Sequence, residues 1–279
     1  MSVFFLKVII FIIHIFFTLG QAFHRYIGLT RPLLRGKIRT MYKLRRYSKK
    51  DKYSYTIGAF PTYELIEKRP DLVEVVYVHT DYNEKDRLFS YGKKHGFHVE
   101  INHKAINRLA NKDNAYVVGV FRKFHSQLED RPHIVLHEVS DMGNLGTILR
   151  TMNGFDYKDL VLIGQVCDVF NPKTVRASMG SIFDIRIAFF DDMESYLLAF
   201  PNHKKYLFML SRNPSDSLYK VENRLDQKDV YALVFGNEGA GLPTNFSKLG
   251  EVVFIPQSDR IDSLNLPIAA ALAMYEFRR

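Results

Sequence analysis

The chain has 279 residues, 47% hydrophobic and 25% charged, an ordinary globular composition with length for one large domain or two smaller ones. Its single cysteine, Cys167, excludes an internal disulfide framework and a thiolate metal cluster, and no metal is expected. The formal net charge of +9 is local, because residues 1–50 hold eleven Lys and Arg and no Asp or Glu, while residues 51–279 carry 28 basic against 30 acidic side chains, net −2. The body is therefore no general polyanion binder, and any nucleic-acid contact must come from local patches.

Residues 3–19 are almost wholly apolar, broken by Lys7 and His14, and a dense positive run follows (Arg25, Arg31, Arg35, Lys37, Arg39). A signal peptide, a short membrane anchor held with the body in the cytoplasm, and a working start at Met41 are the three readings of residues 1–40. The third is adopted, giving a cytoplasmic protein; a membrane is a partner only if this segment is an anchor. Residues 41–125 read as a small α/β unit. A helix is expected from Pro61, a strand over 72–78 (LVEVVYV), a polar helix over 83–95, and strands over 98–101 and 116–121. Lys93, Lys94, His95, His103, Lys104 and Arg108 read as one basic cluster. The polar, proline-terminated stretch 123–132 marks a boundary.

Residues 130–279 read as a second unit. A strand over 133–139 leads through a polar loop to a helix over 145–152 that carries Arg150. Further strands are expected over 160–164, 184–190, 206–210 and 231–235. Helices are expected from Pro172 through Val175 and Met179, and around 193–200 and 217–225. Strand and helix alternating at this spacing predict a parallel sheet with helices on both faces. The run at 230–235 drives into Gly236-Asn237-Glu238-Gly239-Ala240-Gly241. Three glycines in six residues allow a sharp turn and close approach of backbone to a ligand. Their spacing is GxxGxG, not the GxGxxG of a dinucleotide fold. A second apolar run, 252–255, ends at Pro256, and a polar loop then leads to an Ala-rich helix.

Three stretches in this order resemble the SpoU (TrmH-like) family of RNA ribose 2′-O-methyltransferases, within the SPOUT superfamily. They are DMGNLGTILRT at 141–151, with the family's N-x-G-x-x-x-R pattern, FGNEGAGL at 235–242, and IP at 255–256 followed by DSLNLPIAAA at 262–271. NPK at 171–173 and RASMGS at 176–181 are similar to family sequence as well; Met142 departs from it, standing where a proline is usual. Residues 55–121 are similar, more loosely, to the ribosomal-protein-type RNA-binding domain that precedes many such catalytic domains.

The resemblance implies a C-terminal trefoil knot, a homodimer, S-adenosylmethionine as methyl donor and RNA, ribosomal or transfer, as substrate. It assigns Gly236, Gly239, Gly241, Ile255 and Leu264 to the donor. Arg150 is implied at the target ribose, where a guanidinium, always protonated, suits clamping a phosphate better than accepting a proton. Asn144 shapes the site or caps the helix. Glu238 pairs with Arg150, across a dimer or within the chain, or binds loop amides. Ser263 and Asn265 orient loop and substrate, Ser263 alternatively capping the last helix. The rival readings are a non-catalytic RNA-binding protein of the same fold and a dinucleotide-dependent enzyme.

Overall fold

A computed structural model describes residues 46–110, 115–211, 213–223 and 230–278. The apolar segment 3–19, the basic run after it and the start expected at Met41 lie outside the described residues. Among the described residues, no helix is long and apolar enough to cross a membrane.

The first sheet contains β1 (Tyr53–Ile57), β2 (Val73–Val78), β3 (His98–Ile101) and β4 (Val117–Arg122) in the order β1-β4-β2-β3. β4 runs antiparallel to both neighbours, and β2 and β3 are parallel. Three helices accompany it: α1 (Ala59–Lys68), α2 (Lys85–His95) and α3 (His103–Ala110). The basic cluster expected from sequence is divided by this topology. Lys93, Lys94 and His95 close α2 ahead of β3, whereas His103 and Lys104 follow the opposite end of that strand.

The second sheet is parallel throughout, in the order β10-β8-β9-β5-β6-β7. Its strands are β5 (His133–His137), β6 (Asp159–Ile163), β7 (Arg186–Phe190), β8 (Lys204–Phe208), β9 (Tyr231–Phe235) and β10 (Glu251–Val253). Alternate residues of the inner strands serve two cores, as a doubly covered sheet requires. Ile134, Leu136, Leu160, Leu162, Leu233 and Phe235 pack with α4 (Met142–Gly154) and α7 (Leu266–Phe277). Val135, Val161, Ile163, Ala232 and Val234 pack with α6 (Met193–Ala199). The short α5 (Pro172–Ala177) is capped by Asn171, whose side chain accepts from the Lys173 amide, and has Pro172 in its first turn. It crosses α4 at Gly146, where a Cβ would lie 2.4 Å from the Ala177 Cβ. The glycine of N-x-G-x-x-x-R thus lets two helices touch.

Four local expectations are corrected. The helix carrying Arg150 begins at Met142, because Asp141 caps it by accepting from the Asn144 amide at 2.8 Å; Asn144 is not the cap. The helix from Pro172 stops at Ala177, since Met179 has φ 51 and leaves helical geometry. The stretch expected to be helical over 217–225 holds a 3-10 segment, Leu218–Asn223. The last helix starts at Leu266 with Asn265 in the cap position and no side-chain cap, so Ser263 caps nothing there. The two sheets belong to one compact unit spanning residues 45–279. α5 packs against β1, the Ser54 hydroxyl donates to the Phe170 carbonyl, and the Phe121 and Phe183 rings meet edge to face at 5.0 Å.

Candidate active site

In a parallel sheet the loops leaving the carboxyl ends of neighbouring strands share one rim, and ligands bind where the strand order reverses. Here β5, β6 and β7 progress one way, and the chain then crosses to β8 on the other side of β9 and β5. The loop after β9 closes on itself. Asn237 and Gly241 exchange backbone hydrogen bonds at 3.2 and 2.9 Å. The Asn237 side chain accepts from the Gly239 and Ala240 amides and donates to the Glu138 carbonyl at 2.8 Å. A Cβ on Gly236 would lie 2.1 Å from the Gly241 carbonyl carbon, and Gly241 has φ +69, so both positions demand glycine. Gly239 is under neither constraint; a Cβ there would meet only Asn237 Oδ1, at 3.6 Å.

Against this loop lies a cavity of about 380 Å³, in the size class of small-molecule sites. Gly236, Gly239, Gly241, Ile255 and Leu264, all expected from sequence, line it, as do Glu238 and Ser263. Phe208, Met209 and Leu210 at the end of β8, with Thr244 and Gln257, also line the wall and were not anticipated. Their contribution depends on β8 lying beside β9 and β10, an order that no local pattern writes. Asn237 was also missed, although an Asn two residues before a glycine is a recognisable turn signal.

Within its own chain Glu238 binds loop amides and not Arg150. Its Oε2 accepts from the Ser140 amide at 3.1 Å and hydroxyl at 3.0 Å, and its Oε1 from the Asp141 amide at 3.0 Å and Asn144 Nδ2 at 3.2 Å. Burial pushes this carboxyl up, but the donated bonds from Ser140, Asp141 and Asn144 outweigh it and hold the group at about 2. A carboxylate so committed is a poor proton acceptor near neutrality and a good brace between the loops after β5 and β9. Asn144 belongs to this brace. Arg150 lies outside the cavity of its own chain, exposed on the α4 stripe that also carries Thr147 and Gly154. Asn265 is exposed at the start of α7 and also lies off the cavity wall. Cys167 is half-buried beside the brace. Burial, then the Glu238 and Asp141 carboxylates, pushes its thiol up to about 11, which leaves it protonated and unreactive.

The profile of the SpoU rRNA Methylase family matches residues 131–275, more than half of the chain. A curated relative, 23S rRNA (guanosine(2553)-2'-O)-methyltransferase RlmP of Bacillus subtilis, is 28% identical over 160 residues, 53% of this chain and 58% of that protein. The chain spans about half the length of other curated relatives it matches. Among solved structures, AdoMet bound rRNA methyltransferase from Sinorhizobium meliloti superposes with a TM-score of 0.69 at 28% identity, covering 82% of this chain and 87% of that one. The SpoU methyltransferase AviRb from Streptomyces viridochromogenes shares the fold, with a TM-score of 0.68 at 20% identity over 82% of this chain and 89% of that one.

Proposed function

As the chain belongs to the SpoU rRNA methylase family, we propose that it methylates a ribose 2′-hydroxyl of structured RNA, ribosomal RNA before transfer RNA. The observation that carries this reading is the cavity between the 236–242 and 255–266 loops, braced to α4 through Glu238. Its residues suit S-adenosylmethionine. Apolar walls from Phe208, Leu242, Ile255 and Leu264 match the faces of an adenine, main-chain groups of the glycine loop match its edges, and the Asp262 carboxylate complements a cationic ligand. S-adenosylmethionine, when bound, supplies the methyl group from an electrophilic sulfonium.

The chain's own task is to bring a 2′-oxygen into line and exclude competitors. Arg150 clamps the acceptor's phosphate and orients the hydroxyl, while Ser263 and Asn265 set the 262–266 loop. Glu238 keeps the loops in register and takes no proton. Residues 41–125 act as an RNA-binding domain, and residues 130–279 are the methyltransferase domain, in which the family's trefoil knot is expected. Two copies associate through α7, whose exposed Ile268, Leu272 and Tyr275 form an apolar stripe at helical spacing. α4, with Arg150, packs beside α7 and so comes to that interface. The enzyme works in the cytoplasm, where its RNA is.

Calorimetric titration with S-adenosylmethionine and with NAD tests the reading. Wild type should bind the first and not the second. At Gly239 a Cβ meets nothing closer than 3.6 Å, and Gly239→Val sets a branched side chain at the cavity wall, so its affinity should fall at least about tenfold, a loss of about 1.4 kcal/mol, with its melting temperature within roughly 2 °C of wild type. Unchanged affinity in Gly239→Val would remove the glycine loop from the donor site.

A further inference from the structure

The topology of the first sheet gathers three rings at one of its ends. His79 follows β2, His103 opens α3 after β3, and Tyr116 precedes β4, with the His79 amide donating to the Tyr116 carbonyl at 2.8 Å. The His79 and His103 ring centroids are 3.9 Å apart and those of His79 and Tyr116 are 5.3 Å apart, both edge to face. Hydrogen bonds hold the group in place. His103 Nε2 and Thr80 Oγ1 are 2.6 Å apart, and the Asp81 amide donates to His79 Nδ1 at 3.2 Å. His79, between the other two rings, is half-buried. Tyr116 is 44% exposed and His103 is exposed too. The fold thus orders a ring cluster and leaves its Tyr116 and His103 rings open to solvent.

Beside it, the outer face of α3 presents His103, Lys104, Asn107 and Arg108 and no carboxylate, while Asp81, the acid at the rings, is turned to His79 at 3.6 Å. With the net charge of residues 51–279 at −2, attraction for a polyanion must come from such a patch. Ring faces next to cations are the combination that holds single-stranded nucleic acid, bases on the rings and phosphates on the cations. We propose that His79, His103 and Tyr116 form a stacking site for an unpaired base of the RNA substrate, with Lys104 and Arg108 taking the flanking phosphates. This rests on the reading of the chain as an enzyme acting on RNA, and it adds that the recognised RNA carries an unpaired segment away from the methylated ribose.

The test uses the full chain and a fluorescein-labelled unpaired RNA octamer, its affinity read by anisotropy at several salt concentrations. The double variant Tyr116→Ala/His103→Ala should bind about 5- to 150-fold more weakly, the range expected for losing one stacked base, and should keep the wild-type salt dependence. Lys104→Ala/Arg108→Ala should reduce the slope of log affinity against log salt by about 1.4, the value for two contacts to a single strand. Tyr116→Phe, which keeps the ring, should stay within about threefold of wild type, since stacking needs only the π-face. Should the alanine variant melt early, Tyr116→Leu, which keeps bulk without an aromatic face, replaces it. Equal octamer affinity in wild type and in the variant that removes the rings, Tyr116→Ala/His103→Ala or Tyr116→Leu in its place, overturns the proposal, as does a wild type with no affinity for unpaired RNA. Donor titration of the same preparations separates the two ideas. If wild type binds the octamer through these rings but binds no S-adenosylmethionine, the methyltransferase reading fails and the stacking site stands.

Discussion

Glu238 joins two stretches of chain that lie 98 residues apart at Ser140. Its part was legible in sequence only as one of several options, because a carboxylate between glycines serves an arginine or a set of amides equally well. Within the chain its partners are the amides, and that bonding carries a pH signature. The folded group is held at about 2 against an ordinary 4.5, so the folded state binds its proton less readily than the unfolded one. The stabilisation is complete above about pH 4.5 and disappears as pH falls toward 2. Glu238→Gln should therefore be less stable than wild type by a constant margin from pH 7 to about 5, and the margin should close below that. Urea melts at stepped pH read it, and a margin that persists unchanged at pH 3 would show that the charge is not what matters. The glycines were legible as a group but not individually. Only the fold separates Gly236, barred from a side chain by Gly241, from Gly239, where a Cβ meets no close contact in its own chain.

At the scale of elements, the parallel strands stood out because strands buried on both faces read as unbroken apolar runs. β1 was missed since Ser54 and Thr56 make it look polar, yet both are fully buried and bonded, Ser54 to the Phe170 carbonyl and Thr56 to Thr62. α3 was hidden by its charges, although its buried Ala105, Ile106, Leu109 and Ala110 keep helical spacing. α4 starts ahead of its first buried apolar residue, Leu145, because Asp141 caps it. An unexpected feature lies at the amino end of β5. His133 is fully buried, within hydrogen-bond distance of the Tyr196 hydroxyl at 3.1 Å and the Glu129 carbonyl at 2.9 Å, and stacked at 4.2 Å on His203. Burial pushes its pKa down to about 4, and nearby His203 adds to the depression against the Glu129 carbonyl and the Asp159 and Asp130 carboxylates. The unfolded chain takes up this proton near 6.5 and the folded chain only near 4, so stability falls as pH drops through that interval. His133→Gln should be less stable than wild type at pH 7, and the gap should narrow steadily toward pH 4.5. Chemical denaturation at pH 7, 5.5 and 4.5 tests this, and a gap independent of pH would assign the acid loss to other groups.

At the scale of the whole molecule, the class of fold and the loops of the site were legible, but the strand order was not. That order places β8 beside β9 and brings Phe208, Met209 and Leu210 to the cavity. It also leaves Arg150 exposed away from the cavity of its own chain, which is why association through α7 matters to the proposed chemistry. Leu272→Glu, a charge set into the exposed stripe of α7, should give a monomer by light scattering and lose methyl transfer while binding S-adenosylmethionine. A dimer that survives both Leu272→Glu and Tyr275→Glu would place the interface elsewhere. The central claim is methyl transfer to a ribose 2′-oxygen, and one measurement reaches it directly. Purified protein is incubated with S-adenosylmethionine labelled in the methyl group and with ribosomal RNA from cells lacking the gene, and the product is hydrolysed in alkali. Alkaline cleavage needs a free 2′-hydroxyl, so a ribose methylated there survives as a labelled dinucleotide. The account predicts label in that alkali-resistant fraction with wild type and none with Arg150→Ala; label in mononucleotides, or no label with wild type, would contradict it.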